Sequence, residues 1–171
     1  MKYENITMIG DNDKVRYLLK KEGSKPLVVI GVNPSTADDD RPDATMTRVL
    51  GIAGRNGYDS FIMLNLYPQR CVKPSSLSPE FDPAIHEENL RQIKDALAGI
   101  EHPDVLLAFG DNIVTRPYLK NCLRDIVAVI NGRNPHWLQL GTPTRNGNPR
   151  HPLFGCNRDL EDFDIDRYLN K

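Results

Sequence analysis

Short apolar runs, each ending in a polar or glycine-containing loop, set the rhythm of this chain. Leu27-Val28-Val29-Ile30-Gly31-Val32 is the first, and Phe61-Ile62-Met63-Leu64, ending at Asn65, is the second. Val105-Leu106-Leu107-Ala108-Phe109 ends at Gly110, and Trp137-Leu138-Gln139-Leu140 ends at Gly141. Such near-continuous apolar runs predict strands buried on both faces, as in parallel sheets. Helical spacing falls between them. Thr45 to Asn56 puts Met46, Val49, Leu50 and Ala53 on one face, and Gly57 follows as a stop. Asp82-Pro83 starts the next helix, with Asp82 as N-cap and Pro83 in the first turn. Its apolar positions are Ile85, Leu90, Ile93 and Leu97. A third helix runs from about Pro117 to Asn131, with Leu119, Leu123, Ile126, Val127 and Ile130 as its buried stripe.

Strands alternating with helices read as βαβ units, whose right-handed crossovers place helices on the sheet. The predicted fold class is α/β: a three-layer αβα sandwich around a mainly parallel sheet of four to five strands. Lys2 to Gly10 is expected as an edge strand and Val15 to Lys20 as a short helix. Asp159 to Leu169, with Leu160, Phe163, Ile165 and Tyr168 interleaved among acids, is expected to pack on the domain. In such folds ligands sit beyond the carboxyl ends of the strands.

Composition narrows the picture. A chain of 171 residues, 39% hydrophobic and 26% charged, suits one globular domain spanning residues 1–171. A net charge of -1 argues against coating nucleic acid by charge alone. Cys71, Cys122 and Cys156 have neither disulfide-framework nor zinc-knuckle spacing. Neither a signal-peptide core nor a membrane-length apolar run is present, so the expected location is the cytoplasm, without a membrane partner. No cofactor is implied.

Candidate chemistry clusters in the strand-end loops. The first reads Asn33-Pro34-Ser35-Thr36-Ala37-Asp38. Pro34 biases Asn33 toward an extended conformation, with its amide facing the cleft or closing a plain Asn-Pro turn. Asp38, Asp39, Asp40 and Asp43 either hold a metal through oxygen ligands or form a solvated loop, with Asp43 capping the helix. Asn65 stands at the second strand end, where a buried amide needs partners. The loop after it, through Pro74 and Pro79, is long for a strand-to-helix connection unless it binds something. Gly110 permits close backbone approach or a positive φ at the third. The fourth leads to His151, between Arg150 and Pro152 in a rigid loop on the same side.

Much of this pattern, from about Arg16 to Phe154, resembles the bacterial and phage domain-of-unknown-function family numbered 1643. The matching stretches are Asn33-Pro34-Ser35-Thr36-Ala37-Asp38; Asp43 with Thr45 and Arg48; Gly57-Tyr58; Asn65-Leu66; Gly110; and Gly147-Asn148-Pro149-Arg150-His151-Pro152-Leu153. That resemblance implies no activity. More remotely, the strand-end loops are similar to those of the uracil-DNA glycosylase superfamily. Gly31-Val32-Asn33-Pro34-Ser35 looks like a first motif whose asparagine positions the hydrolytic water. Met63-Leu64-Asn65 resembles the strand end that carries a base-reading asparagine. Ala108-Phe109-Gly110 resembles the later strand ending in glycine. His151-Pro152-Leu153 looks like the motif whose histidine donates to a carbonyl oxygen of the leaving base. The Ser-Pro that normally follows the histidine motif is absent, and no aromatic directly follows Asn33-Pro34, which leaves Tyr67 as the stacking candidate.

The resemblance implies hydrolysis of an N-glycosidic bond, with Asn33 or Asp38 placing water and His151 stabilising the departing base. Pro34, Ser35, Thr36, Asn65, Tyr67 and Gly110 would surround the base. Arg41, Arg70, Lys73, Arg145 and Arg150 would hold phosphates. The expected partner is a nucleobase, nucleotide or nucleic acid. A binding module that recognises a nucleotide or modified base without turnover, and a metal-dependent hydrolase built on Asp38 to Asp43, are the alternatives.

Overall fold

The computed structural model describes residues 1–11 and 13–171. The apolar runs become strands β3 (Pro26–Gly31), β4 (Ser60–Asn65), β5 (Asp104–Leu107) and β6 (His136–Leu140). Two strands precede them, β1 (Ile6–Gly10) and β2 (Arg16–Lys21), and β7 (Leu160–Asp162) follows. All seven form one sheet in the order β1-β2-β4-β3-β5-β6-β7. The helices are α1 (Ala44–Arg55), α2 (Pro83–Ala96), α3 (Leu119–Asn131), α4 (Pro152–Gly155) and α5 (Ile165–Leu169). Among the described residues no helix is long and apolar enough to cross a membrane.

Three expectations are corrected. The sheet is mixed rather than mainly parallel: β4-β3-β5-β6 run parallel, β2 is antiparallel to both β1 and β4, and β7 is antiparallel to β6. Seven strands replace the expected four to five. Val15 to Lys20 is not a short helix but lies almost wholly in β2, where Leu19 faces Met63 and Met8. Ladder partners on both sides override the weak local preference of Arg-Tyr-Leu-Leu. The expected edge strand is present as β1. The C-terminal segment packs on the domain through buried Ile165 and Tyr168, but it opens with β7, too short to announce itself by alternation.

Helices α1 and α2 have the capping devices their sequence promised. The Asp43 carboxylate accepts from Met46 N–H at the start of α1, and that of Asp82 from Ala84 and Ile85 N–H at the start of α2, where Pro83 forgoes no helical bond. Alternate residues of β3 enter different cores, because successive side chains of a strand point to opposite faces. Val28 and Ile30 join the cluster built with α2, α3 and α5, whereas Leu27 and Val29 join the one that holds α1. His86, which has no obvious role in sequence, lies buried on α2 with Nε2 2.9 Å from the Asp125 carboxylate on α3.

This topology places the site. The chain leaves β3 toward α1 on one face of the sheet, but leaves the flanking strands β4 and β5 toward α2 and α3 on the other. Exits that diverge at neighbouring strand ends open a crevice over β3, as in other open α/β sheets.

Candidate functional site

A cavity of about 320 Å³ occupies that crevice. Its volume is at the lower end of the roughly 300–1,000 Å³ of small-molecule sites. Its walls come from four strand exits. Gly31 ends β3 and Asn33, Ser35 and Thr36 follow it, Asn65 ends β4, Asn112 follows β5, and His151 follows β6. The first turn of α1, from Asp43 to Met46, and Cys71, Val72 and Pro74 close the sides. Asn33, Asn65 and His151 therefore meet around one cavity, although 118 positions separate the first from the last.

Asn65 lies on the cavity wall in an unusual state. It is fully buried, yet neither Nδ2 nor Oδ1 has a hydrogen-bond partner among the described residues. Its backbone is well held: Asn89 Nδ2 donates to Asn65 O at 3.0 Å, and the parallel register sets Asn65 beside Gly31. Gly31 matters for space. A Cβ there would stand 2.8 Å from Met63 Cε and 3.1 Å from Asn65 Oδ1. The missing side chain thus leaves room beside the Asn65 amide, next to the flexible Met63 methyl. Buried polar groups are nearly always partnered, so a doubly orphaned amide beside a cavity stands out.

His151 is the N-cap of α4, and its Nδ1 accepts from Leu153 N–H at 3.2 Å. An accepting Nδ1 carries no proton, so in the neutral ring the proton sits on Nε2. Burial holds the imidazole below its ordinary pKa, with Asp43 pulling weakly the other way. A neutral donor is the result. Gly110 supports this geometry rather than lining the cavity. Its φ is +60°, and a Cβ there would lie 3.0 Å from His151 Cβ.

Asn33 is half committed. Its Nδ2 donates to Pro34 O at 2.9 Å and to Cys71 O at 2.8 Å, and lies 3.1 Å from Cys71 Sγ. These bonds tie the β3 loop to the wall formed by Cys71 and Val72. Among the described residues its Oδ1 has no donor. Cys71 stays a thiol, since burial raises its pKa.

Several predicted site residues lie elsewhere. Asp38 does not line the cavity. Its Oδ1 accepts from Asp40 and Arg41 N–H at 2.9 and 2.8 Å, and these backbone bonds hold its carboxyl below the usual range. Pro34 is buried behind the loop, where its carbonyl accepts from Cys71 N–H. Tyr67 is not a stacking platform. It is 1% exposed in the core, its ring packs on Tyr118 at 4.9 Å, and its hydroxyl accepts from Asp82 N–H. Arg70 donates to Ala37 O, and Arg150 folds onto Thr142 and Pro143 carbonyls of its own loop. Arg41, Lys73 and Arg145 are exposed and outside the cavity wall, although Lys73 sits between two residues of it. Among the described residues no three His, Cys, Asp or Glu side chains gather as a metal site.

Two important wall residues were invisible to sequence reasoning. Phe154 stands at the rim, 80% exposed, with its ring 6.3 Å from that of His151. Val72, also largely exposed, and Leu153 make the same rim apolar. The apolar pair Leu153-Phe154 in an otherwise polar loop was the available signal. Arg16, the first residue of β2, is 2% exposed and lines the cavity; a cation between Val15 and Tyr17 was its only mark.

Fold and site together define an α/β protein with a small-molecule-sized cavity, built from strand exits at a topological switch. The chain matches the protein family of unknown function DUF1643 over residues 16–153, and it belongs to that family. No curated protein and no solved structure matches it.

Proposed function

We propose that the cavity receives a nucleobase and that the protein hydrolyses its N-glycosidic bond. One observation carries the reading: the buried Asn65 amide offers both a donor and an acceptor, unpaired, at the wall of a cavity of suitable size. A base edge presents the complementary pair. Met63 is the gate. Its methyl lies beside the amide, and rotation of this flexible side chain opens Asn65 to the ligand. At the rim, Phe154 supplies the stacking face that Tyr67 does not.

In the reaction, water adds to the anomeric carbon as the carbon–nitrogen bond breaks. The bonding pair leaves with the base, and the water's proton passes to solvent. Negative charge grows on the base oxygen, where the Nε2–H of neutral His151 can donate. One preorganised donor of this kind contributes about 3 kcal/mol. Asn33 Oδ1 is the acceptor available to orient the water. Helices on both faces of the sheet support reading the architecture as a three-layer sandwich. With the order of the strand-end motifs, this agrees with a likeness to uracil-DNA glycosylases.

Binding without turnover is the second reading, and a specific observation favours it. Asp38 is turned away, and Asp43, the only carboxylate on the wall among the described residues, already accepts from Met46 and Ala37 N–H. A base-release assay on uracil-containing, deaminated and alkylated DNA and on free nucleotides separates the two. Release that disappears in Asn65→Ala and His151→Ala, with unchanged thermal unfolding, supports hydrolysis. Ligand-induced stabilisation without release supports binding alone. Neither release nor stabilisation from any of these substrates overturns both.

A further inference from the structure

Arg16 poses a separate physical problem. Its guanidinium is buried, and only Nη1 has an acceptor among the described residues, Ala37 O at 2.7 Å. Nε is shielded and has no partner. Among the described residues no carboxylate forms an ion pair with it, although Asp43 and Asp38 lie near enough to favour its charge, and Arg70 donates to the same Ala37 carbonyl at 3.2 Å, setting two like charges close together. Burial first, then Arg70, pull the Arg16 pKa down to about 10, so the group remains cationic at neutral pH. An uncompensated buried cation costs several kcal/mol unless an anion joins it.

The N–H of the same residue leads to a second anion-friendly feature. Ala37 N–H donates to Asp43 Oδ2, which holds the first turn of the 12-residue α1 next to Arg16. The Asp43 carboxylate takes Met46 N–H, while Ala44 and Thr45 N–H have no acceptor among the described residues. All three of these first residues line the cavity, as do the Ser35 and Thr36 loop positions. Helix amino-terminal N–H groups favour oxyanions. Locally, two guanidinium charges face one inward carboxylate, while the Asp38 carboxylate is exposed to solvent.

We infer that Arg16 and the first turn of α1 form an oxyanion subsite inside the cavity, which takes the phosphate of a nucleotide whose base meets Asn65. The inference rests on the nucleobase reading and narrows it: the ligand is a phosphorylated nucleoside, not a free base or nucleoside. The phosphate could belong to a mononucleotide or to a phosphodiester chain.

Isothermal titration of the whole protein tests this with four classes of probe: common nucleosides and deoxyuridine, their 5′-monophosphates, inorganic phosphate, and a single-stranded trinucleotide. A charged hydrogen bond predicts that the monophosphate binds about tenfold or more tighter than its nucleoside. Arg16→Met should erase that ratio while nucleoside binding survives, and Arg16→Lys should keep part of it. Thr45→Pro, which removes one N–H, should reduce it as well. The wild-type ratio alone remains decisive if Arg16→Met fails to fold. Tighter binding of the trinucleotide than of the monophosphate assigns the phosphate to a chain; equal binding assigns it to a mononucleotide. Nucleoside and monophosphate binding equally overturns the subsite and leaves the nucleobase reading intact. Inorganic phosphate binding that Arg16→Met abolishes, with no nucleoside binding, keeps the subsite and removes the base. No binding of any probe overturns both.

Discussion

Replacing Asn65 by leucine should make the protein more stable and functionless at once. The two amide atoms are shielded and unpartnered in the ligand-free protein. Each buried unsatisfied polar group costs about 1–3 kcal/mol. Leucine has the same branched shape, a larger volume and no polar atom, so the substitution removes both penalties while crowding the wall. Imperfect fit of the branched side chain against Met63 takes back part of the gain. A net stabilisation of about 1–3 kcal/mol is expected, which raises Tm by about 3–9 °C for a domain of this size. Urea denaturation of the ligand-free protein reads the free energy, and calorimetry with nucleosides and nucleotides reads the lost binding. Asn89→Leu is the control. Asn89 Nδ2 holds the Asn65 carbonyl while its Oδ1 is unpartnered, so this change loses one bond worth about 1–3 kcal/mol, regains part of that at Oδ1, and should not stabilise. If Asn65→Leu lowers Tm by several degrees, Asn65 is an ordinary structural residue, and the case for a ligand at its amide fails.

Met63→Ala should open the Asn65 wall, tightening nucleoside binding while lowering stability by about 2–5 kcal/mol, read by calorimetry and denaturation together; unchanged or weaker binding refutes the gate. Gly110→Ala places a side chain at φ +60° against His151, so it should destabilise by about 1–3 kcal/mol and impair ligand binding, a result that a stable, fully binding variant would contradict. His136 lies between Asp162 and Asp104, which raise its pKa above 6.5. The folded protein therefore binds this proton more tightly than the unfolded chain. The stabilisation is complete below pH 6.5 and fades as pH rises through the folded pKa, so His136→Asn should flatten that decline in pH-dependent unfolding. His151 has the opposite sign: its lowered pKa stabilises above pH 6.5 and is lost as pH falls through and below that value, a slope that His151→Gln should remove.

The parts of the fold readable in sequence were those set by local chemistry. Four buried parallel strands announce themselves because both faces must be apolar, and α1 and α2 because Asp43 and Asp82 can cap only a helix that starts beside them. The flanking strands were less legible. β2 carries Arg16 between apolar neighbours, and β7 has only three residues, so neither shows a period. Their identity is set by ladder partners on distant segments.

The site divides along the same line. Residue types at strand exits were visible, and Asn33, Asn65 and His151 share one wall because parallel strands bring successive carboxyl ends to one edge. Which polar groups stay free was not visible. Asp38, Tyr67, Arg70 and Arg150 look functional in sequence, yet each is engaged by backbone or core partners that only the packing reveals. Arg16 and Phe154 look incidental, yet one lies buried at the cavity wall without an ion-pair partner among the described residues and the other stands open at its mouth. Sequence determined the strands, the caps and the chemistry available at each loop, because these follow from neighbours along the chain. Tertiary structure alone decided which of those groups remain unpaired, because a hydrogen-bond partner is chosen by distance in space.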